Sequence, residues 1–334
     1  MGILIATGVY PPDVGGPAKY AKNLADEFLR NSHNVKVLTY RLERKLPVGI
    51  RHCFYLLKVL LNLPGADLII ALDMLSTGLP AILAGKIFSK KTILRVGGDF
   101  LWETYIETTG NMITLENFYG KASKLSLKYR TIATLQKFAL KNASALAFNT
   151  PWQKDFFEKV YNLDKKKNSV IENFYPAKTA GAKSKEKNFL FAGRKIKFKN
   201  LALLEEIFEE LKKEGSGVKM EIINNLSREE LQERIKNSYA LIVPSISDFA
   251  PNFIIEGLSF NKPFILTKKC GLVDKLKGLG VFIDPFNKNS IKEAILSLMD
   301  EKNYNEYEEK IANFNFTHSW REIADEFLDI YKKL

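Results

Sequence analysis

The chain has 334 residues, 46 % of them apolar, with 50 Lys and Arg against 38 Asp and Glu for a formal net charge of +12. That length and apolar content exclude a disordered chain and leave room for two domains with cores of their own. Cys53 and Cys270 lie far apart and form no disulfide framework, which points to a reducing, cytoplasmic compartment.

Ile3 to Thr7 is a continuous apolar run and reads as a strand, not as a signal peptide. A loop with Pro11, Pro12, Gly15, Gly16 and Pro17 follows, and then a helical stripe of Tyr20, Leu24 and Phe28. Val35 to Leu38 and Leu68 to Leu72 supply further strands. His52 to Leu63 is the best membrane candidate, but it carries Lys58 and falls well short of the roughly 20 apolar residues that span a bilayer. A helix from Leu79 to Ile87 and strands at Thr92 to Val96 and Ala145 to Asn149 complete the series. Strands alternating with helices predict a parallel, doubly wound sheet. Between Phe100 and Leu140 lie two helical patterns rich in basic residues, where acceptor recognition is expected.

The polar stretch 177–188 has linker composition. A second series begins at Phe189. Its helix shows apolar residues at Leu201, Leu204, Ile207, Phe208 and Leu211, and its further strands are Met220 to Ile223, Ala240 to Val243, Phe264 to Leu266 and Val281 to Ile283. Ser227-Arg-Glu-Glu230 reads as a capped helix start. The last helix repeats apolar positions at Trp320, Ile323, Ala324, Phe327, Leu328 and Tyr331.

The positive charge is uneven. Residues 1–173 hold 24 Lys and Arg against 14 Asp and Glu, a balance of +10, which leaves 26 against 24, or +2, for 174–334. With the amphipathic stretch Arg51 to Leu61, the basic half suits an anionic membrane surface. No nucleic-acid motif is present to favour the competing partner. A basic half that serves solubility alone is the plainer account of the same charge.

Four segments carry candidate chemistry. In Val243-Pro-Ser-Ile-Ser-Asp-Phe-Ala-Pro-Asn-Phe-Ile-Ile-Glu-Gly257, Asp248 and Glu256 stand eight positions apart across a turn between a strand and a short apolar helix. Such turns are where open α/β sheets hold ligands. Phe189-Leu-Phe-Ala-Gly-Arg194 leads from a strand into Lys199-Asn200, so Arg194 and Lys199 could reach one diphosphate, although a solvated cationic loop would read the same. Gly15 and Gly16 let the backbone approach a phosphate or sugar, but their loop is not the Gly-x-Gly-x-x-Gly of a dinucleotide site. His33, His52 and His318 lack metal-ligand spacing, and Asp67 and Asp73 form no Asp-x-Asp pair, so no metal is indicated.

Together these pieces resemble retaining GT-B glycosyltransferases of family four, the glycosyl transferases group one. Asp248 and Glu256 match the family's Glu-x7-Glu pair, with Asp in place of the first Glu. Ile3 to Pro17 is similar to its first strand and glycine loop, Gly193, Arg194 and Lys199 to its diphosphate clamp, and Ser319-Trp320 to the start of its closing helix.

The resemblance implies two Rossmann-like domains facing a central cleft. An acceptor-side domain is expected at 1–175, a donor-binding domain at 176–318, and a C-terminal helix at 319–334 that crosses back to the first domain. One strand–helix unit after Ile223 is expected to be missing, which bears on recognition of the base. The implied reaction moves a sugar from a nucleotide-diphosphate donor to a hydroxyl acceptor with retention, without a cofactor. A lipid-linked or cell-surface glycan is the implied acceptor.

By the same resemblance Glu256 binds the ribose, and Ala250, Pro251, Asn252 and Phe253 line the donor. Asp248 lies near the transferred sugar, and Arg194 and Lys199 stabilise the leaving diphosphate. The family's usual His has no counterpart in Arg95-Val-Gly-Gly-Asp-Phe-Leu-Trp-Glu103, and Asp99, or else Glu103, is expected to take its place. A non-catalytic descendant of the fold and another GT-B enzyme, such as a sugar-nucleotide epimerase, are the alternatives.

Overall fold

A computed structural model describes residues 1–13, 15–120, 125–181, 184, 186–224 and 226–334. Val14 of the glycine loop, part of the 100–140 region, residues 182, 183 and 185 of the polar stretch, and Asn225 lie outside the described residues. The chain forms two compact units. The first comprises Met1–Trp102, Lys121–Asn173 and Ser319–Leu334, and the second Glu103–Gly120 and Phe174–His318.

The first unit is built on six parallel strands, β1 (Gly2–Thr7), β2 (Asn34–Thr39), β3 (Leu68–Ala71), β4 (Lys91–Val96), β5 (Ala145–Phe148) and β6 (Asn168–Val170), in the order β2-β1-β3-β4-β5-β6. The central strands β3 and β5 are buried along their whole length, as near-continuous apolar runs must be when both sheet faces are covered. Right-handed crossovers put helices on opposite faces according to the direction in which the chain steps along the sheet. The step from β1 to β2 runs one way, through α1 (Gly16–Arg30). The steps to β3, β4 and β5 run the other way, through α2 (Ile50–Asn62), α3 (Gly78–Ile87) and finally α6 (Leu127–Asn142).

Between β4 and α6 come α4 (Phe100–Thr109) and α5 (Leu115–Gly120). The expected first domain at 1–175 includes this stretch, whereas α4 begins in the first unit and from Glu103 to Gly120 the chain groups with the second. α7 (Pro151–Tyr161), capped by Thr150, connects β5 to β6.

The second unit has five parallel strands, β7 (Asn188–Ala192), β8 (Lys219–Ile223), β9 (Ala240–Val243), β10 (Phe264–Thr267) and β11 (Val281–Ile283), in the order β11-β10-β9-β7-β8. Its connecting helices are α8 (Leu201–Lys213), α9 (Arg228–Asn237), α10 (Asn252–Leu258), α11 (Lys288–Met299) and α12 (Glu301–Ala312). β8 leads within a few residues into α9, whose start is the capping box of Ser227 and Glu230. One core cluster joins Phe189, Leu204, Ile207 and Ile295, and the other joins Leu190, Leu241, Ile254 and Leu266. The alternation of neighbouring β7 residues between the two clusters is the period of a strand covered on both faces.

The last helix, α13 (Trp320–Lys332), belongs to the first unit and packs on α1. Ser319 and Glu322 cap it reciprocally, and the Trp320 ring meets the Tyr20 ring edge-on with centroids 5.2 Å apart.

Candidate functional site

In the second unit, β7 ends at Ala192 and the chain turns through Gly193 and Arg194 into a short 3-10 turn, Lys197–Lys199. Asn200 then adopts a left-handed conformation (φ 59°) to start α8, and its Nδ2 donates to Pro285 O at 2.7 Å. Asn tolerates this region better than most residues, and the buried bond fixes the corner. The cationic loop is thereby anchored at both ends, since Gly193 N also donates to Ile223 O.

Lys199 and Asp248 meet. The Lys199 Nζ lies 2.6 Å from Asp248 Oδ2, and both side chains are largely buried. The Asp248 backbone is tied on either side, its N donating to Lys269 O and its O accepting from Gly271 N, while Ser245 Oγ lies 3.4 Å from Asp248 Oδ2. An acid held this firmly keeps the lysine ammonium at one place instead of leaving it to sweep solvent.

Arg194 differs. Its side chain is 75 % exposed, and Glu103 Oε2 stands 4.0 Å from Nη2, a contact in high dielectric that contributes little. Glu256 lies half-buried on α10, with Oε2 itself buried. Asn252 is exposed at the first position of that helix, Ala250 is half-buried, and Pro251 and Phe253 are buried. The Phe253 ring approaches the Phe191 ring, with centroids 6.5 Å apart. Cys270 pairs with Asp248 in a single β-bridge, and burial pushes its thiol far up, so it stays a neutral neighbour of the carboxylate.

The remaining candidates belong to the first unit. Gly15 precedes α1 at φ +129°, a backbone that L side chains rarely adopt, which gives the glycine a conformational reason to be there. Gly16 is the first residue of α1 and, like Gly15, is exposed. Asp99 is fully buried: Oδ1 accepts from Trp102 N at 2.9 Å and Oδ2 from Gln136 Nε2 at 3.3 Å. In this arrangement its carboxylate holds the start of α4. Glu103, the other acid of this segment, is the one brought beside a cation, Arg194.

Neither Glu107 nor Ser245 stands out in the sequence. Glu107 Oε1 accepts from Lys197 N at 2.7 Å, and its carbonyl accepts from Lys197 Nζ at 2.9 Å. A cation near the last turn of α4 also suits the helix dipole. Glu116 stands 3.8 Å from Lys269, and Leu115 N donates to Ser247 Oγ at 3.2 Å. Acids at Glu103, Glu107 and Glu116 thus answer cations at Arg194, Lys197 and Lys269. That complementarity was present in the sequence, but nothing local joins segments ninety or more positions apart.

The architecture has known counterparts. Sucrose-phosphate synthase from Thermosynechococcus elongatus superposes with TM-score 0.69 at 13 % identity, over 99 % of this chain and 98 % of that one. Anabaena HepE, solved in complex with UDP and glucose, gives 0.70 at 13 %, over 100 % and 99 %. WaaG, a glycosyltransferase involved in lipopolysaccharide biosynthesis, gives 0.68 at 14 %, over 99 % of each chain. The fold is GT-B. Residues 205–315, about a third of the chain, match the family model for glycosyl transferases group 1. A comparison with curated protein sequences finds no match. At these identities the solved structures establish the GT-B architecture alone. The matched segment contains Asp248 and Glu256, while Arg194 and Lys199 immediately precede it.

Proposed function

We propose that the protein is a retaining glycosyltransferase that moves a sugar from a nucleotide-diphosphate donor to a hydroxyl of a lipid-linked or cell-surface glycan. The observation that carries this reading is the Lys199–Asp248 pair at 2.6 Å, on the loop that also bears Arg194 and next to the segment matching the glycosyl transferases group 1 model. A diphosphate needs cations where negative charge grows as the glycosidic bond breaks, and a sugar needs a carboxylate to take its hydroxyls. Both groups stand here on short, anchored turns of one unit.

In this reading Arg194 and Lys199 hold the diphosphate, and Lys199 shares its protons between phosphate oxygen and Asp248. Glu256 accepts from the ribose hydroxyls, the turn Ala250–Phe253 borders the donor, and Gly15 and Gly16 keep the first unit's loop low enough for a sugar or phosphate. The bond from the anomeric carbon to the diphosphate breaks and its electrons go to the leaving oxygen. The acceptor oxygen bonds the same face of that carbon, and its proton passes to the departing phosphate. Neutralisation of the diphosphate is assigned to the two cations, with no cofactor besides the donor as co-substrate. Asp99 contributes through the start of α4. A lipid-linked acceptor would place the enzyme peripherally on the cytoplasmic face of a membrane.

The test is a thermal-shift screen of nucleotide diphosphates and their sugars with wild type, Arg194→Ala, Glu256→Ala and Asp248→Asn. A donor at 100 times its dissociation constant stabilises by about 2.7 kcal/mol. At the same donor concentration that shift should fall to about half in the Arg194 variant, a tenfold weaker binder, and should shrink in the Glu256 variant as well. Asp248→Asn, which releases Lys199 from its carboxylate, should keep or strengthen binding of the bare nucleotide diphosphate while losing turnover. NMR of the product's anomeric configuration then tests retention. A folded wild type that answers no donor would overturn the reading in favour of a non-catalytic protein.

A further inference from the structure

The three helices that step along the first sheet in one direction share a property that no single segment reveals. α3 packs against both α2 and α6, so the three form one contiguous layer on the sheet face opposite α1. None of the three contains an Asp or Glu, whereas they carry Arg51, Lys58, Lys86, Lys128, Arg130, Lys137 and Lys141. Among the described residues Lys86, Lys128, Arg130, Lys137 and Lys141 form no ion pair; Lys58 is paired with the buried Glu43 at 2.9 Å.

Apolar side chains stand outward on the same layer. On α2, Ile50, Phe54, Leu57 and Leu61 recur at helical spacing and are 51–72 % exposed. Their direction is fixed from beneath. Tyr55 and Val59 are fully buried, Tyr55 Oη donates to Leu38 O at 2.8 Å, and Lys58 Nζ donates to Thr39 O at 2.7 Å. α2 is therefore apolar on two sides, one of which already faces the core. Ile87 and Phe88 are exposed at the end of α3, and Leu127, Leu135 and Phe138 on α6.

We infer that this three-helix layer is a docking surface for an anionic lipid bilayer. α2 lies in the plane of the interface with Phe54, Leu57 and Leu61 in the headgroup–acyl boundary, while the cations of α3 and α6 meet lipid phosphates. Charge decides between occupants. A second copy would bring like charge against like charge. A nucleic acid would satisfy the cations but leave the α2 stripe without an apolar partner. A bilayer surface satisfies both. The inference deepens the reading that the acceptor is membrane-linked by naming the surface that meets the lipid, yet it rests on no catalytic residue.

The test is sedimentation of the full-length chain with vesicles of phosphatidylcholine alone or with one-third phosphatidylglycerol, at low and high salt. Wild type should pellet with the anionic vesicles at low salt, and much less with neutral ones or at high salt. Arg130→Gln with Lys137→Gln should weaken partitioning roughly 25-fold, at about fivefold per cation. Leu57→Glu with Leu61→Glu should abolish it. Both double variants should keep the wild-type melting temperature within a few degrees, and any donor-induced thermal shift, so that loss of lipid binding is read in folded protein. Failure of sugar transfer with intact vesicle binding would overturn the enzymatic reading and leave this one standing. Equal pelleting with neutral vesicles, no pelleting of wild type, or variants that bind as wild type would overturn the docking surface. So would a wild-type dimer that Leu57→Glu with Leu61→Glu dissociates, or retention on a duplex oligonucleotide that survives that change.

Discussion

Arg95 and Arg194 both stand at or just past the end of a parallel strand, one in each unit, and they have opposite fates. Arg95, on β4, is 4 % exposed. Its Nη1 donates to Ile171 O at 2.9 Å, its Nη2 to Asn173 Oδ1 at 2.7 Å, and its guanidinium covers the Tyr20 ring at 4.4 Å. Arg194, two residues beyond β7, reaches only the 4.0 Å contact to Glu103. A buried cation that spends Nη1 and Nη2 on a backbone and an amide oxygen and covers an aromatic ring is a fastener. A cation with most of its donors in water keeps them available, which is what the proposed role in holding a diphosphate requires. The difference is one of satisfaction, not residue type or position on the strand.

The largest test of that contrast is Lys199→Met. If Lys199 stabilises charge on a leaving diphosphate, kcat/KM for the donor should fall about 10²- to 10³-fold, as for loss of one preorganised donor in an oxyanion site. Stability should fall as well, because the largely buried Asp248 carboxylate loses its cation and keeps only Ser245 at 3.4 Å, so kcat/KM is read per folded molecule. A fall in melting temperature that accounts for the lost activity would make Lys199 another fastener.

Arg95→Met should show the reverse. It leaves Ile171 O and Asn173 Oδ1 without their donor in a buried place, for about 3 kcal/mol of stability, while kcat per folded molecule holds. Denaturant unfolding beside active-site titration separates the two. Arg194→Ala comes next, at about tenfold in donor affinity with unchanged stability, the worth of one charge-assisted contact. Glu107→Gln is smaller again. The amide still accepts from Lys197 N but no longer offsets the loop's charge, so donor KM should move by about two- to fivefold with kcat unchanged.

The sequence made the two sheets legible because their strands are apolar runs with no alternative use, and their order follows from strand–helix alternation. The Lys199–Asp248 meeting was half legible, since each stood in its own motif but nothing local says that Nζ and Oδ2 touch. Asp99 is expected near the chemistry through the resemblance alone, since its segment corresponds to the one that holds the family's usual His. Only coordinates reveal that Trp102 N and Gln136 use its carboxylate. The acid-free helix layer escaped for another reason. α2 was visible as an amphipathic stretch, but α6 is separated from it by more than sixty residues and becomes its near neighbour only through the sheet order.

The smallest effect sharpens the same contrast in a third cation. Lys262 is almost wholly buried, with Nζ donating to Ser238 O at 2.7 Å, and burial lowers its pKa to about 8. Lys178, part-buried among Leu258 O, Asn261 Oδ1 and Ile311 O, is lowered to about 8 by the same cause. In the unfolded chain both titrate near 10.4. Between about pH 8 and 10 the unfolded state therefore binds more protons than the native one, and stability rises with pH. Tyr20 and Tyr239 work in the opposite direction. Burial first of all raises each to about 12, so the unfolded chain ionises from about pH 10 while the native one does not, and stability falls from there. The melting temperature should thus climb slightly from pH 8, crest near pH 10 and drop beyond it. Lys262→Met should reduce the climb to the share of Lys178 and leave the drop, whereas Arg194→Ala, a change at an exposed cation, should alter neither limb.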